Sequence, residues 1–323
     1  MINRRQFTNA SLLLPLLSAL DASAGSAWES GGHRKILLDT DIGSDIDDAV
    51  ALAYLLRQPR CKLLGITTVS GNAQGRAQLA AALCRAAEVE VPIYPGIESP
   101  LVVESMQTEA PQTQRLKGAQ PRFANDQAID FLRETIRAHP QQITLLAVGP
   151  LTNIATLFAR DPEIPGLLAE LVVMGGKYSD YPTPWGPTEW NIIVDPHAAK
   201  QVFATPVPRI RAIGLDITWQ VSMSPAEVAR HFQRDPLLEI VLDWSAVWFQ
   251  ERELLHFHDP LAAAVLFNRE LCSFVTGNIS VDLQSEPTPG VTSFAPNSTS
   301  MTEVASSVNA EAFFLEYFSV FNE

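Results

Sequence analysis

The chain has 323 residues, of which 46% are hydrophobic and 18% are charged, and it contains three cysteines. These proportions exclude a disordered polypeptide, which has too little apolar surface to bury, and a disulfide-rich scaffold, which needs many more cysteines. The formal charge of −13 opposes binding to nucleic acid or to an anionic membrane, so we expect neither as a partner.

Residues 1–24 have the pattern of an export signal. Arg4 and Arg5 precede a leucine-rich run, and the segment ends in a small-x-small cleavage pattern at residues 22–24. The adjacent arginines favour a bacterial twin-arginine signal, with an ordinary secretory signal as the alternative. We therefore expect residues 25–323 to be exported to the periplasm. No later apolar run approaches the roughly 20 residues of a membrane span, so the mature form is expected to have no membrane segment.

After the signal, short apolar runs alternate with longer amphipathic runs. The predicted strands cover residues 35–39, 63–69, 91–94, 143–148, 171–174 and 210–215. The predicted helices cover residues 48–56, 77–87, 127–138, 151–158 and 196–204, with a further helical region after residue 224 and a strand pair at 274–283 and 291–294. This order predicts one α/β domain, an open, mostly parallel Rossmann-like sheet with helices on both faces.

Two segments interrupt the alternation and are predicted to be loops. Residues 98–121 are rich in Gln and Pro and predict a surface loop, while residues 177–189 combine Pro and Gly with aromatic side chains. The three cysteines, Cys61, Cys84 and Cys272, lack the spacing of a metal site and are predicted to be buried free thiols.

Five aspartates lie within residues 39–48, directly after the first predicted strand. A helix start explains part of this cluster, with Asp45 as the N-cap and two aspartates in the first turn. It leaves Asp39 and Asp41 unexplained at a strand end, where ligands of parallel sheets bind. Because grouped carboxylates repel one another unless a cation is present, the segment indicates a site for a hard cation, calcium or magnesium.

Further polar motifs follow the other strands. They are Asn72, the segment Gly149-Pro150-Leu151-Thr152-Asn153, the pair Gly175-Gly176, the segment Glu189-Trp190-Asn191, and His258-Asp259-Pro260. A strand that ends in Asp-x-Asp also fits a magnesium-dependent phosphohydrolase with an aspartyl nucleophile. These segments carry acids and amides rather than the basic residues that bind phosphate, which argues against that alternative.

In this order the motifs resemble the inosine-uridine-preferring nucleoside hydrolase family. The resemblance implies the nucleoside hydrolase fold, a tightly bound calcium, a homodimer or homotetramer, and hydrolysis of the N-glycosidic bond of ribonucleosides to free base and ribose. It implies that calcium is bound by Asp41, Asp48, Asp259 and the main-chain carbonyl of Val148. The implied ribose-binding residues are Asp47, Asn72, Met174, Glu189, Asn191 and Asp259.

The resemblance also implies catalytic roles that agree with the chemistry. Loss of a nucleobase leaves an oxocarbenium-like sugar, which nearby carboxylates stabilise. Asp41 is expected to be the general base for a calcium-bound water. His258 is expected to protonate the departing base, although a packing role is an equal alternative, and His256 is expected to be structural.

Three features depart from the common family pattern. Three residues separate Gly43 from the Asp47-Asp48 pair, which makes Asp45 a further acidic candidate. No Asn precedes Glu189 in the aromatic loop to bind the ribose 5′-hydroxyl, and the usual His-Gly motif is absent from residues 115–118. A nucleoside-binding protein without turnover therefore stays as an alternative.

The tryptophans Trp244 and Trp248 are spaced for one helix face. Core packing is the favoured interpretation, and stacking on the nucleobase is the second.

Overall fold

A large mixed sheet forms the centre of the fold. Within residues 32–284 and 289–321, which the computed structural model describes, nine strands form this sheet in the order β10-β9-β11-β6-β5-β4-β1-β2-β3. The strands of the described chain are β1 Arg34–Thr40, β2 Cys61–Thr68, β3 Ile93–Pro95, β4 Ile143–Ala147, β5 Glu170–Met174, β6 Ile210–Ile213, β7 Ser222–Met223, β8 Leu255–His256, β9 Cys272–Asp282, β10 Val291–Pro296 and β11 Thr302–Val308. The pair β7 and β8 forms a separate antiparallel ribbon.

Helices follow most of the strands. They are α1 Asp47–Arg57, α2 Ala73–Ala86, α3 Ala128–Ala138, α4 Thr152–Arg160, α5 Ile164–Leu167, α6 Trp190–Val194, α7 Pro196–Ala204, α8 Leu215–Thr218, α9 Pro225–Phe232, α10 Pro236–Trp248, α11 His258–Ala264 and α12 Ala310–Ser319. Short 3₁₀ turns occupy Pro111–Arg115 and Arg269–Leu271. Among the described residues, no helix is both long and apolar enough to cross a bilayer.

The sheet is parallel from β3 through β6 to β11, and β9 and β10 extend it in antiparallel fashion. Its central strands are buried on both faces, as the continuous apolar run of β1 requires. Ile36 and Leu38 pack in one apolar cluster with α1, α2, α10 and α11, whereas Leu37 points to a second cluster with α3, α4 and α7. The predicted α/β class, with helices on both faces of a mostly parallel sheet, is confirmed, and His33–Glu323 forms one compact unit.

Several predicted elements differ from the structure in their bounds. Helix α2 begins at Ala73, four residues earlier than predicted, because the Asn72 side chain accepts a hydrogen bond from the Gly75 amide and caps the helix. Cys84 and Cys272 are buried free thiols as predicted, but Cys61 is only half-buried. The predicted strand pair near the C-terminus is confirmed as β9 and β10, whereas β11 and α12 lie outside the predicted elements. The predicted signal at residues 1–24 lies outside the described residues and stays a prediction.

Helix α12 completes the apolar layer over α1. Its Tyr317 is fully buried, stacks on Tyr54 at a ring-centroid distance of 5.6 Å, and donates a hydrogen bond of 3.0 Å from its hydroxyl to the Val50 carbonyl. Leu315 lies on the same helix but is 71% exposed. The helix therefore contributes one buried face and one solvated face.

We expect Tyr317→Ala to lower the free energy of unfolding by about 3 to 5 kcal/mol, because it removes a buried aromatic ring and leaves a cavity. Tyr317→Phe should cost about 1 kcal/mol, the net contribution of its hydrogen bond. Urea denaturation followed by circular dichroism measures both changes. Leu315→Ala is the control on the same helix, with a change within about 0.5 kcal/mol. Equal losses for Tyr317→Ala and Leu315→Ala would contradict this packing of α12.

Candidate active site

The carboxyl ends of the central strands meet at one edge of the sheet. Asp39 of β1 pairs with Ala147 of β4, which in turn pairs with Val173 of β5. On the other side of β1, Thr40 pairs with Thr68 of β2. The segments that follow these strands therefore begin side by side, which brings most of the predicted site residues together.

A tight turn carries the first strand into helix α1. Gly43 has a φ of +119°, and a Cβ at this position would lie 2.6 Å from the Leu79 side chain, so the turn requires glycine. The Ile42 amide donates to the Thr40 hydroxyl, and that hydroxyl donates to the Asp48 carboxylate. Thr40 thus fixes both the turn and one of the acidic side chains.

Asp45 is not the N-cap of α1, so that part of the helix-start interpretation is wrong. The N-cap is Ile46, which makes no side-chain cap bond, and the Asp45 carboxylate accepts a hydrogen bond of 2.6 Å from the Ile46 amide. Asp47 and Asp48 do occupy the first helical turn, as predicted. Neither of them is used as a cap, which leaves both available to the site.

Asp47, Asp48 and Asp259 form a buried acidic cluster. Helix α11 packs against α1 and brings Asp259 to this point, where its amide donates a hydrogen bond of 3.0 Å to the Asp47 carboxylate. One carboxylate oxygen from each of the three residues lies within 4.8 Å of the others, a spacing that suits a metal ion. All three side chains are nearly inaccessible to solvent.

The electrostatics of this cluster favour a bound cation. Burial raises the pKa of Asp47, Asp48 and Asp259 well above the usual value, and repulsion among the carboxylates raises it further. Because a divalent cation stabilises the ionised carboxylates, it reverses this effect. All three residues offer hard oxygen donors, which fit calcium or magnesium. Two members of the cluster, Asp48 and Asp259, are among the calcium ligands that the resemblance implied. The third member is Asp47, which the resemblance implied as a ribose-binding residue.

Asp41 lies beside this cluster and is held from several directions. The fully buried Arg76 donates hydrogen bonds to the main-chain carbonyls of Asp41 and Ile42, and to that of Ser70. Gln107 donates a hydrogen bond of 2.6 Å to Oδ2 of Asp41. Burial raises the pKa of Asp41, and the Arg76 charge and the Gln107 bond oppose that rise.

Asp39 precedes Asp41 by two residues in the chain and is fully buried within β1. Its Oδ1 accepts hydrogen bonds from the Thr67 hydroxyl and from the Asn153 amide, the latter at 2.7 Å. Asn153 also donates to the Thr68 carbonyl and accepts from the Ile97 amide. Asp39 and Asn153 therefore connect β1, β2, the segment after β3 and the start of α4.

The predicted sugar-binding residues after β5 converge on a short helix. Glu189 caps α6, accepting hydrogen bonds from the amides of Gly176, Asn191 and Ile192 at 3.0, 2.9 and 3.1 Å. Asn191 donates from its side chain to the carbonyls of Val148 and Met174 at 2.9 and 3.2 Å.

These contacts place four predicted residues, Val148, Met174, Glu189 and Asn191, in one hydrogen-bonded group. Burial raises the pKa of Glu189 to about 7. The sixth predicted ribose ligand, Asn72, is half-buried at the end of β2, and its side-chain oxygen caps α2.

His258 lies at the start of α11 in an aromatic stack. Its Nδ1 is 2.7 Å from the Thr218 hydroxyl, and its ring is roughly parallel to His256 at a centroid distance of 5.4 Å. His256 stacks on Trp219 at 3.8 Å and lies 3.2 Å from the Trp219 carbonyl, as expected for a structural residue. Burial lowers the pKa of His258 to about 3, so its ring is neutral at pH 7.

The predicted loops differ in character. Residues 177–189 contain no helix or strand, and Trp185 of this loop is exposed and packs against Trp190 at 5.7 Å. Trp244 and Trp248 both belong to α10. Trp244 is buried in the first apolar cluster, and Trp248 is partly buried against it, which confirms the core-packing interpretation.

The segment 98–121 is not simply a surface loop, since Gln107 and Gln112 are buried within it. Gln107 and Arg76 had no signal in the sequence, because a glutamine in a polar loop and an arginine in a helix are both common on surfaces.

The sequence matches the family described as inosine-uridine preferring nucleoside hydrolase over residues 36–315. An uncharacterized protein of Schizosaccharomyces pombe is 31% identical over 277 residues, which cover 80% of this chain and 87% of that protein. The pyrimidine-specific ribonucleoside hydrolase RihB of Escherichia coli is 37% identical over 206 residues, which cover 61% of this chain and 64% of RihB.

Solved structures give the same result for the fold. The purine-preferring ribonucleoside hydrolase from Gardnerella vaginalis superimposes with a TM-score of 0.76 at 25% identity, covering 90% of this chain and 98% of that one. A plant nucleoside hydrolase superimposes with a TM-score of 0.77 at 23% identity, covering 90% and 99%. The family match over residues 36–315 and the Gardnerella structure together define a ribonucleoside N-ribohydrolase. The chain belongs to the inosine-uridine preferring nucleoside hydrolase family.

The buried Asp39 predicts how stability depends on pH. Burial raises its pKa from 3.8 to about 7. The folded state therefore holds this proton more tightly, and the stability it contributes is fully present below about pH 4 and is lost as the pH rises through 7. With a chelator present, we expect Asp39→Asn to reduce the fall in unfolding free energy between pH 5 and pH 8 by about 2 to 3 kcal/mol.

Urea denaturation at the two pH values measures this difference. Asp180→Asn, which changes an exposed carboxylate, is the control and should leave the wild-type pH dependence unchanged. An Asp39→Asn variant whose stability falls as steeply as that of the wild type would contradict the raised pKa.

Proposed function

We propose that this protein hydrolyses the N-glycosidic bond of ribonucleosides with the help of a bound calcium ion, and that Asp41 is the general base. The observation that carries the proposal is the buried cluster of Asp47, Asp48 and Asp259 beside Asp41 at the strand ends. Such a cluster is costly without a cation, and it lies where ligands of parallel sheets bind.

Calcium would be held by Asp41, Asp48, Asp259 and the carbonyl of Val148. When bound, it would neutralise these carboxylates and make a neighbouring water easier to deprotonate. Asp41 then accepts the proton of the attacking water. The main-chain contacts with Arg76 keep this residue in place while it does so.

The ribose is bound by Asp47, Asn72, Glu189 and Asn191, with Met174 against the sugar. Carboxylates accept hydrogen bonds from the vicinal hydroxyls, and amides both donate and accept. The same carboxylates stabilise the positive charge that develops on the sugar as the base departs. Asp259 serves both the cation and the sugar, in line with its position in the first turn of α11, in contact with Asp47 of α1.

His258 assists the departure of the base. The neutral ring carries one N–H; with the Thr218 hydroxyl at Nδ1, the N–H on Nε2 donates a hydrogen bond to the leaving base and stabilises its negative charge. The preferred base is a separate question, because RihB is described as pyrimidine-specific and the Gardnerella enzyme as purine-preferring. Both classes of nucleoside are therefore included in the test.

The decisive assay measures reducing sugar released from uridine, cytidine, inosine and adenosine, and from 2′-deoxyuridine and 2′-deoxyinosine. We expect release of sugar from at least one ribonucleoside and release that is at least about 100-fold slower from its 2′-deoxy form. Chelation should abolish the release, and added calcium should restore it. Calcium should also raise the melting temperature of the chelated protein, since a ligand of the folded state stabilises it. Binding of nucleosides without any release, with calcium present, would instead indicate the binding protein.

Asp41→Asn tests the general base, because the amide keeps the shape of the side chain but cannot accept the proton. We expect kcat to fall by about 1,000-fold or more, in line with the loss of a general base together with a ligand of the cation. Asp126→Asn, on the exposed loop before α3, is the control and should retain wild-type activity. Turnover by Asp41→Asn within about 10-fold of the wild type would contradict this mechanism.

A further inference from the structure

Gln107 is a buried amide that contacts two parts of the active site at once. It lies in the loop between β3 and α3 and is 6% exposed. Its Nε2 donates a hydrogen bond of 2.6 Å to Oδ2 of Asp41. Its Oε1 accepts a hydrogen bond of 2.6 Å from the indole Nε1 of Trp190. The amide therefore bridges the proposed base and helix α6.

The contact with Trp190 fixes the orientation of this amide. An indole N–H can only donate a hydrogen bond, so the carbonyl end of Gln107 has to face Trp190 and the NH₂ end has to face Asp41. Without the indole, the amide could rotate and present its oxygen to the carboxylate. Trp190 thus determines which atom of Gln107 meets the proposed base.

The two oxygens of the Asp41 carboxylate are in different surroundings. Oδ2 is occupied by Gln107. Oδ1 faces Gly149, where a Cβ would lie 2.8 Å from it, so the absence of a side chain leaves room on that side. Rotation of the carboxylate would break the bond to Gln107. The bond to Gln107 thus fixes one oxygen and, with it, the rotation of the whole carboxylate.

We infer that Gln107 is a positioning residue that orients the Asp41 carboxylate for proton transfer, with Trp190 holding Gln107 in turn. The inference rests on the proposed role of Asp41 as general base. A base that is misplaced by 1 Å can lose about 100-fold in rate, so fixing its rotation has a direct effect on turnover. Substrate binding does not require this contact, because neither Gln107 nor the indole N–H belongs to the proposed sugar-binding set.

Trp190 also lies next to the proposed sugar-binding residues. Its neighbours in sequence are Glu189, the N-cap of α6, and Asn191, two of the proposed ribose-binding residues. One short helix therefore supplies contacts to the sugar and the bond that holds Gln107. The base and the sugar are thereby placed relative to each other through a path of two hydrogen bonds.

Gln107→Leu and Trp190→Phe test this inference with little change in shape. Gln107→Leu keeps most of the volume of the side chain and adds no charge, but it removes the donor to Asp41 and the acceptor for Trp190. We expect kcat to fall by about 10- to 100-fold with KM changed less than about 3-fold. Trp190→Phe removes the indole N–H and should lower kcat by about 3- to 10-fold. The double variant should be no slower than Gln107→Leu alone, because both changes break the same path.

Gln112→Leu is the matched control. This glutamine is equally buried in the same loop, and its amide donates to the main-chain carbonyls of Ser44 and Asp45 rather than to a carboxylate. We expect a lower melting temperature and a kcat within about 3-fold of the wild type. Melting temperatures of all variants show which of them remain folded at the assay temperature.

The outcomes separate the inference from the proposed function. Wild-type kcat for a folded Gln107→Leu variant would overturn the inference, and so would an equal kcat loss in Gln112→Leu, since that would indicate a general effect of the loop. Multiplicative losses in the double variant would overturn the role of Trp190. Failure of the proposed function is seen in other experiments: the wild-type protein would release no base or sugar from nucleosides, or the Asp41→Asn variant would stay active.

Discussion

The burial of several carboxylates at one point is the constraint on which the rest of the site depends. Asp47, Asp48 and Asp259 lie within 4.8 Å of one another and are almost inaccessible to solvent. An isolated carboxylate loses several kcal/mol on transfer from water to a protein interior, and neighbours of the same charge add to this. Such an arrangement persists only where the fold holds the groups in place and bound protons or a cation compensate their charge. The raised pKa of each member is the sign of that cost.

The parallel sheet supplies the positions, and buried polar contacts supply the rigidity. Four neighbouring strands end at one edge, so short segments suffice to bring distant residues together. The Thr40 hydroxyl holds Asp48, the Asp259 amide holds Asp47, and Arg76 holds the main chain of the turn after β1. Each of these donors satisfies an acceptor that would otherwise be buried without a partner. The apolar helices that cover both faces exclude water and thereby make these polar contacts stronger.

The sequence predicted those parts of the fold and site that depend on local pattern. Alternating apolar runs predicted the parallel core, and the aspartates of residues 39–48 predicted the acidic cluster, because like charges close in sequence need an explanation. Gln107 could not be found in this way, since its role depends on a loop that folds back over β1. The Asp45 cap prediction failed because the first-turn geometry of α1 is set by Thr40 and the Gly43 turn rather than by side-chain capping. Strand β11 was missed because its sequence, TEVASSV, is mostly polar and has no continuous apolar run.

The same constraint links stability to activity. A protein that keeps its carboxylates ionised for catalysis is less stable without a cation than one with an apolar cluster at that place, because the charges are buried and repel one another. Cation binding then adds to the free energy of folding as well as to the chemistry. The contacts on Asp41 follow the same logic: the Arg76 charge and the Gln107 hydrogen bond stabilise the charged form of a group that burial alone would keep protonated. The N–H donors of Gln107 and Arg76 and the proposed cation would then compensate different parts of the buried charge.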